Sequence, residues 1–174
     1  MSKNEEDPVS AAIHASLASF TKNLVEESSE RYSEMRNSSF FDSIPDSPLS
    51  LLAEQAEIKK FTSGDCITTE KTPGTSFFVI LFGTATAFVN KMNIGIINSG
   101  ECIGESTYFV DGHLSSATVV ANGEVIALEL KKRAVDTMSE EVKTYMDKAL
   151  LLALFNKLQR ANKLIETLIK NKSK

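Results

Sequence analysis

The chain has 174 residues, 42% of them hydrophobic, with 23 acidic and 19 basic side chains and a formal net charge of −4. This length suits one domain with appendages, and no apolar run approaches the ~18 residues that indicate a membrane-spanning helix. Two cysteines and two histidines are too few for a disulfide scaffold or for a metal centre built from several histidine ligands.

The first segment of the chain is polar and then amphipathic. Residues 1–10 lack the basic start and apolar stretch of a secretion signal, so we expect a disordered tail and a cytoplasmic protein. Residues 11–39 form the next segment, with an amphipathic helix predicted over 11–36. Its apolar side chains fall at spacings of four, three and four, which places them on one stripe: Ile13, Leu17, Phe20 and Leu24.

Charge is distributed unevenly between the two ends of the chain. Residues 1–57 hold 11 acidic and 4 basic side chains, a balance of −7. Residues 131–174 hold 11 basic and 5 acidic side chains, a balance of +6. We therefore expect the acidic N-terminal helix to dock on a basic C-terminal one. No aromatic residues interleave with the C-terminal lysines, so a nucleic-acid partner is not expected.

Residues 40–138 are predicted to form a β-roll, entered through a connector with a short helix. Ser47 is the predicted N-cap of that helix and Pro48 its first residue. The apolar side chains of Phe40, Phe41 and Ile44 are expected to pin the connector to the roll.

Between residues 57 and 130, short β-rich runs alternate with turn residues, a pattern typical of a sandwich, jelly roll or small barrel. The predicted strands are Ile58–Phe61, Cys66–Thr69, Phe77–Phe82, Ala85–Val89, Ile94–Asn98, Thr118–Ala121 and Val125–Leu130. One internal echo favours the jelly roll, since Gly64-Asp65-Cys66-Ile67 returns 36 residues later as Gly100-Glu101-Cys102-Ile103. Both cysteines thus fall at strand starts, and we expect two reduced, half-buried thiols.

Residues 139–174 are predicted to form a long, coiled-coil-like helix that follows a shorter helical piece at residues 131–138. Ser139 is the expected N-cap. Apolar residues then recur at spacings of three and four, as in a heptad seam: Leu151, Leu154, Leu158, Ala161, Ile165 and Leu168. A strict seam favours a homodimer. The alternative is that the N-terminal helix fills the seam within the same chain, and both arrangements are compatible in a four-helix bundle.

The order and spacing of the glycine turns resemble the cyclic-nucleotide-binding domain family over about residues 40–170. Phe61–Ile67 resembles the family's first glycine turn, and Ser76–Gly83 resembles its central strand. Gly100–Glu105 resembles the start of its phosphate-binding cassette and Ala117–Val119 the end. The resemblance implies a mainly β double-stranded β-helix, or jelly roll, with flanking helices. It also implies a short helix after Gly104-Glu105 and a long helix that dimerises, as in the catabolite-activator branch.

The resemblance also implies the chemistry of a ligand site, in which a glutamate accepts hydrogen bonds from a sugar hydroxyl and an arginine grips a cyclic phosphate. Glu105 matches the glutamate, but Ser115 stands at the arginine position and carries no charge. That loss is expected to cost about two to three decades of cyclic-nucleotide affinity. The candidate ligand-binding residues are Gly104, Glu105, Ser106, Ser115, Ser116 and Thr118.

The sequence leaves two interpretations of Glu105 open. Glu105 is either a sugar ligand or a structural acid that bonds backbone amides in its loop. Tyr108 and Phe109 are bulky for this cassette, and we expect them to plug the pocket.

These features favour a non-catalytic, dimeric interaction module in bacterial-type signalling that has lost standard cyclic-nucleotide binding. It would act as a scaffold for a protein partner or bind another ligand, with no cofactor and no membrane partner. The alternative is a working sensor of cyclic AMP or cyclic GMP with a substitute cation such as Lys71 or Lys91.

Two further function classes are weaker. A transcription factor of the catabolite-activator type needs a helix-turn-helix after the long helix, for which a sequence ending at Lys174 leaves no room. An enzyme is not expected, because His14 and His113 are the only histidines and no nucleophile elbow or Walker loop is present.

Overall fold

The structure, a computed structural model, describes residues 8–110 and 112–172. Of the tail predicted at residues 1–10, residues 1–7 lie outside the described residues, and residues 8–10 belong to the first helix instead. Five α-helices and a 3-10 helix flank the roll within that part of the chain. The helices are α1 (Pro8–Arg36), the 3-10 helix (Ser39–Phe41), α2 (Asp46–Gln55), α3 (Glu105–Phe109), α4 (Lys132–Asp136) and α5 (Glu140–Lys172). The strands are β1 (Glu57–Phe61), β2 (Cys66–Thr68), β3 (Ser76–Phe82), β4 (Thr84–Val89), β5 (Met92–Asn98), β6 (Cys102–Ile103), β7 (Thr118–Ala121) and β8 (Val125–Lys131).

The strands form two four-stranded antiparallel sheets, which confirms the predicted jelly roll. One sheet has the order β1-β8-β3-β6 and the other β2-β7-β4-β5. The seven predicted strands are present with ends shifted by at most two residues, and the additional strand β6 begins at the second copy of the internal echo.

The internal echo corresponds to two equivalent turns, one in each sheet. Asp65 accepts a hydrogen bond from the backbone N–H of Thr62 at 2.6 Å, and Glu101 accepts one from the N–H of Asn98 at 2.8 Å. In each turn the acid thus bonds the amide three residues before it. A strand then starts at the cysteine that follows.

The two thiols occupy different environments, which corrects the expectation that both are half-buried. Cys66 is exposed and Cys102 is buried, and both are free. Burial raises the pKa of the Cys102 thiol to about 12 because the thiolate would lose its hydration.

The connector packs on the first sheet as expected. Phe40, Phe41 and Ile44 are buried in one apolar cluster with residues of β3, β8 and α5. The predicted N-cap Ser47 is wrong, because α2 begins at Asp46, two residues before the predicted start, with Pro45 as its N-cap. Hydrogen bonds from α1 hold the Asp46 carboxylate and so tie the first turn of α2 to α1. Pro48 fits within that turn, since its missing N–H would have no intrahelical partner there.

Helix α1 begins at Pro8, three residues before the expected start, and only its C-terminal part packs on the domain. Met35 is fully buried, and Arg31 Nε donates to the Ala53 carbonyl at 2.7 Å. The apolar stripe Ile13, Leu17, Phe20 and Leu24 is exposed, at 47–62% of each residue's surface. The stripe is therefore not docked on the C-terminal helix of the same chain, contrary to the expectation from charge.

Helix α5 packs on the domain over its first three turns and then extends beyond them. Ser139 is its N-cap as predicted, since its Oγ accepts the Val142 N–H at 3.4 Å. Val142, Met146, Ala149 and Leu150 are buried in the core. From residue 151 onward most of the helix surface is exposed. None of the helices in the described ranges is long and apolar enough to span a membrane.

Candidate functional site

A cavity of about 400 Å³ lies between the second sheet, the cassette and α5. Much of its wall is aliphatic, including Ile94, Ile96, Ile97, Ile103, Val119 and Leu164. Its polar side is formed by Glu105, Ser106, Ser115, Ser116, Lys157 and Arg160. A ligand of matching shape would therefore contact aliphatic surface on one side and hydroxyl, carboxylate and ammonium groups on the other.

The cassette backbone starts with a glycine that the fold requires. Gly104 has φ +82° and is the N-cap of α3, the short helix that the resemblance implied. A Cβ at this position would lie 3.0 Å from the Ser76 carbonyl oxygen, too close for an ordinary contact. This geometry brings α3 against β3 and directs Glu105, its first residue, toward the cavity.

Glu105 is paired with a lysine of the C-terminal helix. Lys157 Nζ donates to Glu105 Oε1 at 2.7 Å and to the Cys102 carbonyl at 2.8 Å. The two side chains are largely shielded from water, with 15% of Glu105 and 31% of Lys157 exposed. The pair therefore joins the cassette to α5, a partnership that neither sequence reading of Glu105 included.

The second cation at the cavity is also paired with a carboxylate. Arg160, one turn beyond Lys157, forms an ion pair with Glu101, in the turn that precedes β6. Lys157 and Arg160 are the two basic residues in the cavity wall. Their charges are thus balanced by Glu105 and Glu101, so an anionic ligand would have to compete with existing ion pairs.

The serine at the arginine position is held by backbone hydrogen bonds. The Ser115 N–H donates to the Thr72 carbonyl, and the Ser115 carbonyl accepts the Lys71 N–H, each at 2.8 Å. Only 8% of the residue is exposed. Ser115 and Ser116 both line the cavity. Five of the six predicted ligand-binding residues therefore surround one space. The sixth, Thr118, is not among the lining residues, and its Oγ1 accepts the Glu70 N–H at 3.0 Å.

Tyr108 and Phe109 do not plug the cavity, contrary to expectation. Tyr108 packs edge-on against Phe77 in the core, with ring centroids 5.6 Å apart, and its hydroxyl donates to Asp147 at 3.0 Å. Burial and the neighbouring Asp147 carboxylate raise the Tyr108 pKa, so it stays protonated. Phe109 is 43% exposed. The prediction failed because the Tyr108 ring is held by Phe77 and Asp147, and the Phe109 ring packs edge-on against Tyr108.

The substitute cations considered from the sequence lie elsewhere. Lys71 pairs with Glu70 at 3.4 Å and is mostly exposed, and neither Lys71 nor Lys91 lines the cavity. Lys157 and Arg160, which do line the cavity, were not among the candidate residues predicted from the sequence. The helical periodicity places both residues on the same face of α5 as Met146 and Leu150, which are buried against the domain. This spacing was the feature of the sequence that could have indicated their orientation. Among the described residues, no group of three His, Cys, Asp or Glu side chains could hold a metal ion.

Residues 58–141 match the family model of the cyclic nucleotide-binding domain. Solved structures with the same fold include a cyclic nucleotide-binding domain from Methylobacillus flagellatus, with 19% identity and a TM-score of 0.69; it covers 82% of this chain and 84% of that one. The regulatory domain of Toxoplasma gondii PKA, solved with cAMP, has 18% identity and a TM-score of 0.62 over 71% of this chain and 49% of that one.

A third similar structure is the regulatory subunit of a cAMP-independent protein kinase A from Trypanosoma cruzi bound to guanosine. It has 19% identity and a TM-score of 0.55 over 64% of this chain and 40% of that one. The chain thus spans half or less of the length of the two kinase subunits. At these identities the likeness establishes the fold.

Proposed function

Because residues 58–141 form a domain of the cyclic-nucleotide-binding family, we propose that the chain is a non-catalytic regulatory module that binds a small uncharged ligand in place of a standard cyclic nucleotide. The observation that carries this proposal is the serine at position 115 in a cavity whose two cations are already paired with carboxylates. A cyclic phosphate entering this site would meet no arginine at position 115, and Arg160 is already paired with Glu101. The phosphate would also approach Glu105 unless Lys157 moved between them.

An uncharged ligand with hydroxyl groups suits the same surroundings better. Glu105 Oε1 accepts a bond from the Lys157 ammonium group, and a carboxylate has capacity for about four acceptor interactions. Ser115 and Ser116 supply hydroxyls nearby, and the aliphatic wall offers apolar contact. A nucleoside has this combination of a diol and a flat apolar face. The T. cruzi subunit noted above is described with guanosine, which makes nucleosides the first ligands to test.

Calorimetric titration of the full chain with guanosine, adenosine, cyclic AMP and cyclic GMP tests the proposal. We expect saturable binding of a nucleoside and at least ~10-fold weaker binding of the cyclic nucleotide with the same base, since the phosphate adds charge without a new partner. Micromolar binding of cyclic AMP or cyclic GMP would overturn the proposal. So would the absence of binding by all four compounds in combination with an unchanged melting temperature, which would favour a pure scaffold.

A second candidate function is a cyclic-nucleotide sensor with a non-standard phosphate contact. The observation in its favour is that the Lys157 ammonium lines the same cavity as Ser115 and Ser116. In this case the lysine would exchange Glu105 for the phosphate. Wild-type binding of cyclic AMP that falls at least ~10-fold in a Lys157→Gln variant would support the sensor over the first proposal.

We also propose that the module is a homodimer through α5 and works in cytoplasmic signalling of the bacterial type with a protein partner. Support comes from the exposure of Leu151, Leu158, Ile165 and Leu168, four of the six predicted seam residues. The other two face the domain, because Leu154 is half-buried and Ala161 lines the cavity. The seam is thus rotated slightly outward from the one expected, and the exposed Phe155 lies within it.

A further inference from the structure

Two helices of this chain carry exposed apolar stripes of similar length. The α1 stripe, defined above as Ile13, Leu17, Phe20 and Leu24, covers 12 residues, a rise of about 17 Å along the helix. The α5 stripe consists of Leu151, Phe155, Leu158 and Ile165 and covers 15 residues, a rise of about 21 Å. Each side chain in both stripes exposes between 47% and 62% of its residue surface. Apolar surface on this scale marks an interaction site.

We propose that the α1 stripe of one copy packs on the α5 stripe of a second copy, and reciprocally, so that two copies form a four-helix bundle. This inference rests on the proposed homodimer and names the segment that completes it. In this bundle, α1 and α5 of the second copy together cover each α5 stripe.

The positions within each stripe fit such a bundle. At 100° per residue, the four α1 side chains fall within an arc of about 60°, and so the helix has one narrow apolar seam. The four α5 side chains fall within about 80° by the same count, on the side of the helix away from Lys157. Asn162 lies in the middle of that arc. A single polar residue in an apolar seam is a device that fixes register in helical assemblies.

Charge distinguishes the mixed bundle from an α5 pair alone. Residues 157–171 carry four basic side chains and one acidic, a balance of +3. Two α5 helices alone would bring these like charges together, and they would leave both α1 stripes in water. Helix α1, residues 8–36, carries four acidic and three basic side chains, a balance of −1, so its inclusion covers the stripes without adding positive charge to the bundle.

The available surface is sufficient for a stable dimer. With Leu152 and Leu168 at the stripe edges, ten large apolar side chains are about half exposed in each copy. Their burial would remove on the order of 800 Å² per copy, comparable to a standard stable interface. A long helix with one exposed stripe also gains most of its stability from such packing, which α1 lacks over residues 13–25 in the single chain.

Solution mass of the full chain and of two variants tests the bundle. We expect a dimer for the wild type, and monomers for Leu17→Asp/Phe20→Asp and for Leu158→Asp/Ile165→Asp at the same concentration. Ser19→Asp and Thr167→Asp lie on exposed sides away from the stripes and should remain dimeric. Circular dichroism of the folded roll serves as the check that each variant folds.

The two levels of the proposal fail in different ways. A dimeric α5 variant would overturn the proposed homodimer through α5. A monomeric α5 variant with a fully dimeric α1 variant would overturn only the role of α1. A monomeric wild type up to about 100 μM would contradict both, without bearing on ligand binding.

Cross-linking identifies the contact directly. In a Cys66→Ser background, differently tagged copies carrying Leu17→Cys or Leu158→Cys are mixed and oxidised. We expect a disulfide between the two tagged chains, because the α1 stripe of one copy would face the α5 stripe of the other. Cross-links confined to pairs of Leu158→Cys chains would show an α5 pair alone and would overturn the proposal.

Discussion

Lys157 Nζ lies 2.7 Å from Glu105 Oε1 and joins two positions that are 52 residues apart in the chain. One is the first residue of the cassette helix and the other is in the fifth turn of α5. The Glu105 carboxylate thus holds the C-terminal helix over the cavity. Under the proposed function, the same carboxylate would link ligand contact to the position of this helix.

The Lys157–Glu105 pair should contribute measurably to stability. Replacing Lys157 by Met keeps the length of the side chain but leaves a partly buried carboxylate without its ammonium partner. We expect a loss of about 1–3 kcal/mol in the free energy of unfolding, measured by urea denaturation. The exposed Lys163→Met should change it by less than ~0.5 kcal/mol.

A double-mutant cycle with Glu105→Gln isolates this interaction. The combined Lys157→Met/Glu105→Gln variant should be less destabilised than the sum of the two single variants, by about 1 kcal/mol. Additive effects would mean that the two side chains do not interact in solution.

Restoring an arginine at position 115 should create cyclic-nucleotide affinity. The Ser115→Arg side chain would start in the cavity wall, and Tyr108 and Phe109 do not block the space. A charge-assisted arginine–phosphate contact of about 1.5–3 kcal/mol predicts a gain of roughly 10- to 100-fold in cyclic AMP affinity by calorimetry. Ser116→Arg adds the same charge one residue away, and an equal gain there would point to charge alone instead of the cassette geometry.

An ion network on the first sheet predicts acid sensitivity. The Glu57 carboxylate bonds the ammonium groups of Lys131 and Lys59, which lower its pKa from 4.5 to about 2. Because the folded pKa is the lower one, the contribution to stability is complete above pH ~4.5 and disappears as the pH falls toward 2.

The Glu57→Gln variant should remove that contribution. Glu57 is 44% exposed, so we expect no more than about 1 kcal/mol at pH 7 and no difference from wild type near pH 2. The exposed Glu54→Gln is the matched control. An equal difference at both pH values would rule out ionisation as its cause. The measurement is urea unfolding across this pH range.

Replacing Gly83 by alanine should destabilise the protein more than the same substitution at Gly64, which has a similar φ angle. Gly83 has φ +85°, and a Cβ there would lie 2.2 Å from the Glu124 carbonyl oxygen. Gly64 has φ +89° with no atom within 4 Å of the added Cβ. Gly64→Ala should therefore cost about 1–2 kcal/mol for backbone strain alone.

Gly83→Ala adds a backbone clash to the same strain, so we expect a loss at least ~2 kcal/mol larger, visible as a lower melting temperature. Equal losses in the two variants would show that the turn between β3 and β4 relaxes around the methyl group.

The sequence predicted those features that depend on local pattern. Alternating apolar residues between turn glycines placed the strands within two residues, and the echo at Cys66 and Cys102 marked the equivalent turns. The heptad spacing likewise indicated the long helix α5 and an exposed seam at Leu158 and Ile165.

Features that depend on how elements meet in space could not be predicted. The direction of the Tyr108 ring is set by its packing on Phe77 and its bond to Asp147, 39 residues away. The charges at the cavity come from Lys157 and Arg160, whose orientation follows from the burial of the first turns of α5. For a side chain on the flank of a helix, the local sequence does not indicate which of two neighbouring elements the side chain will contact.

The geometry of α5 has a mechanical consequence. The helix is held in the core as far as Leu150 and continues to Lys172, a rod of about 33 Å beyond its last buried residue. A pivot of only 10° at that residue would displace the far tip by about 6 Å, a simple lever-arm amplification of motion at its base. A change that breaks the Lys157–Glu105 pair near the base of this helix would therefore produce a larger displacement at its C-terminal end.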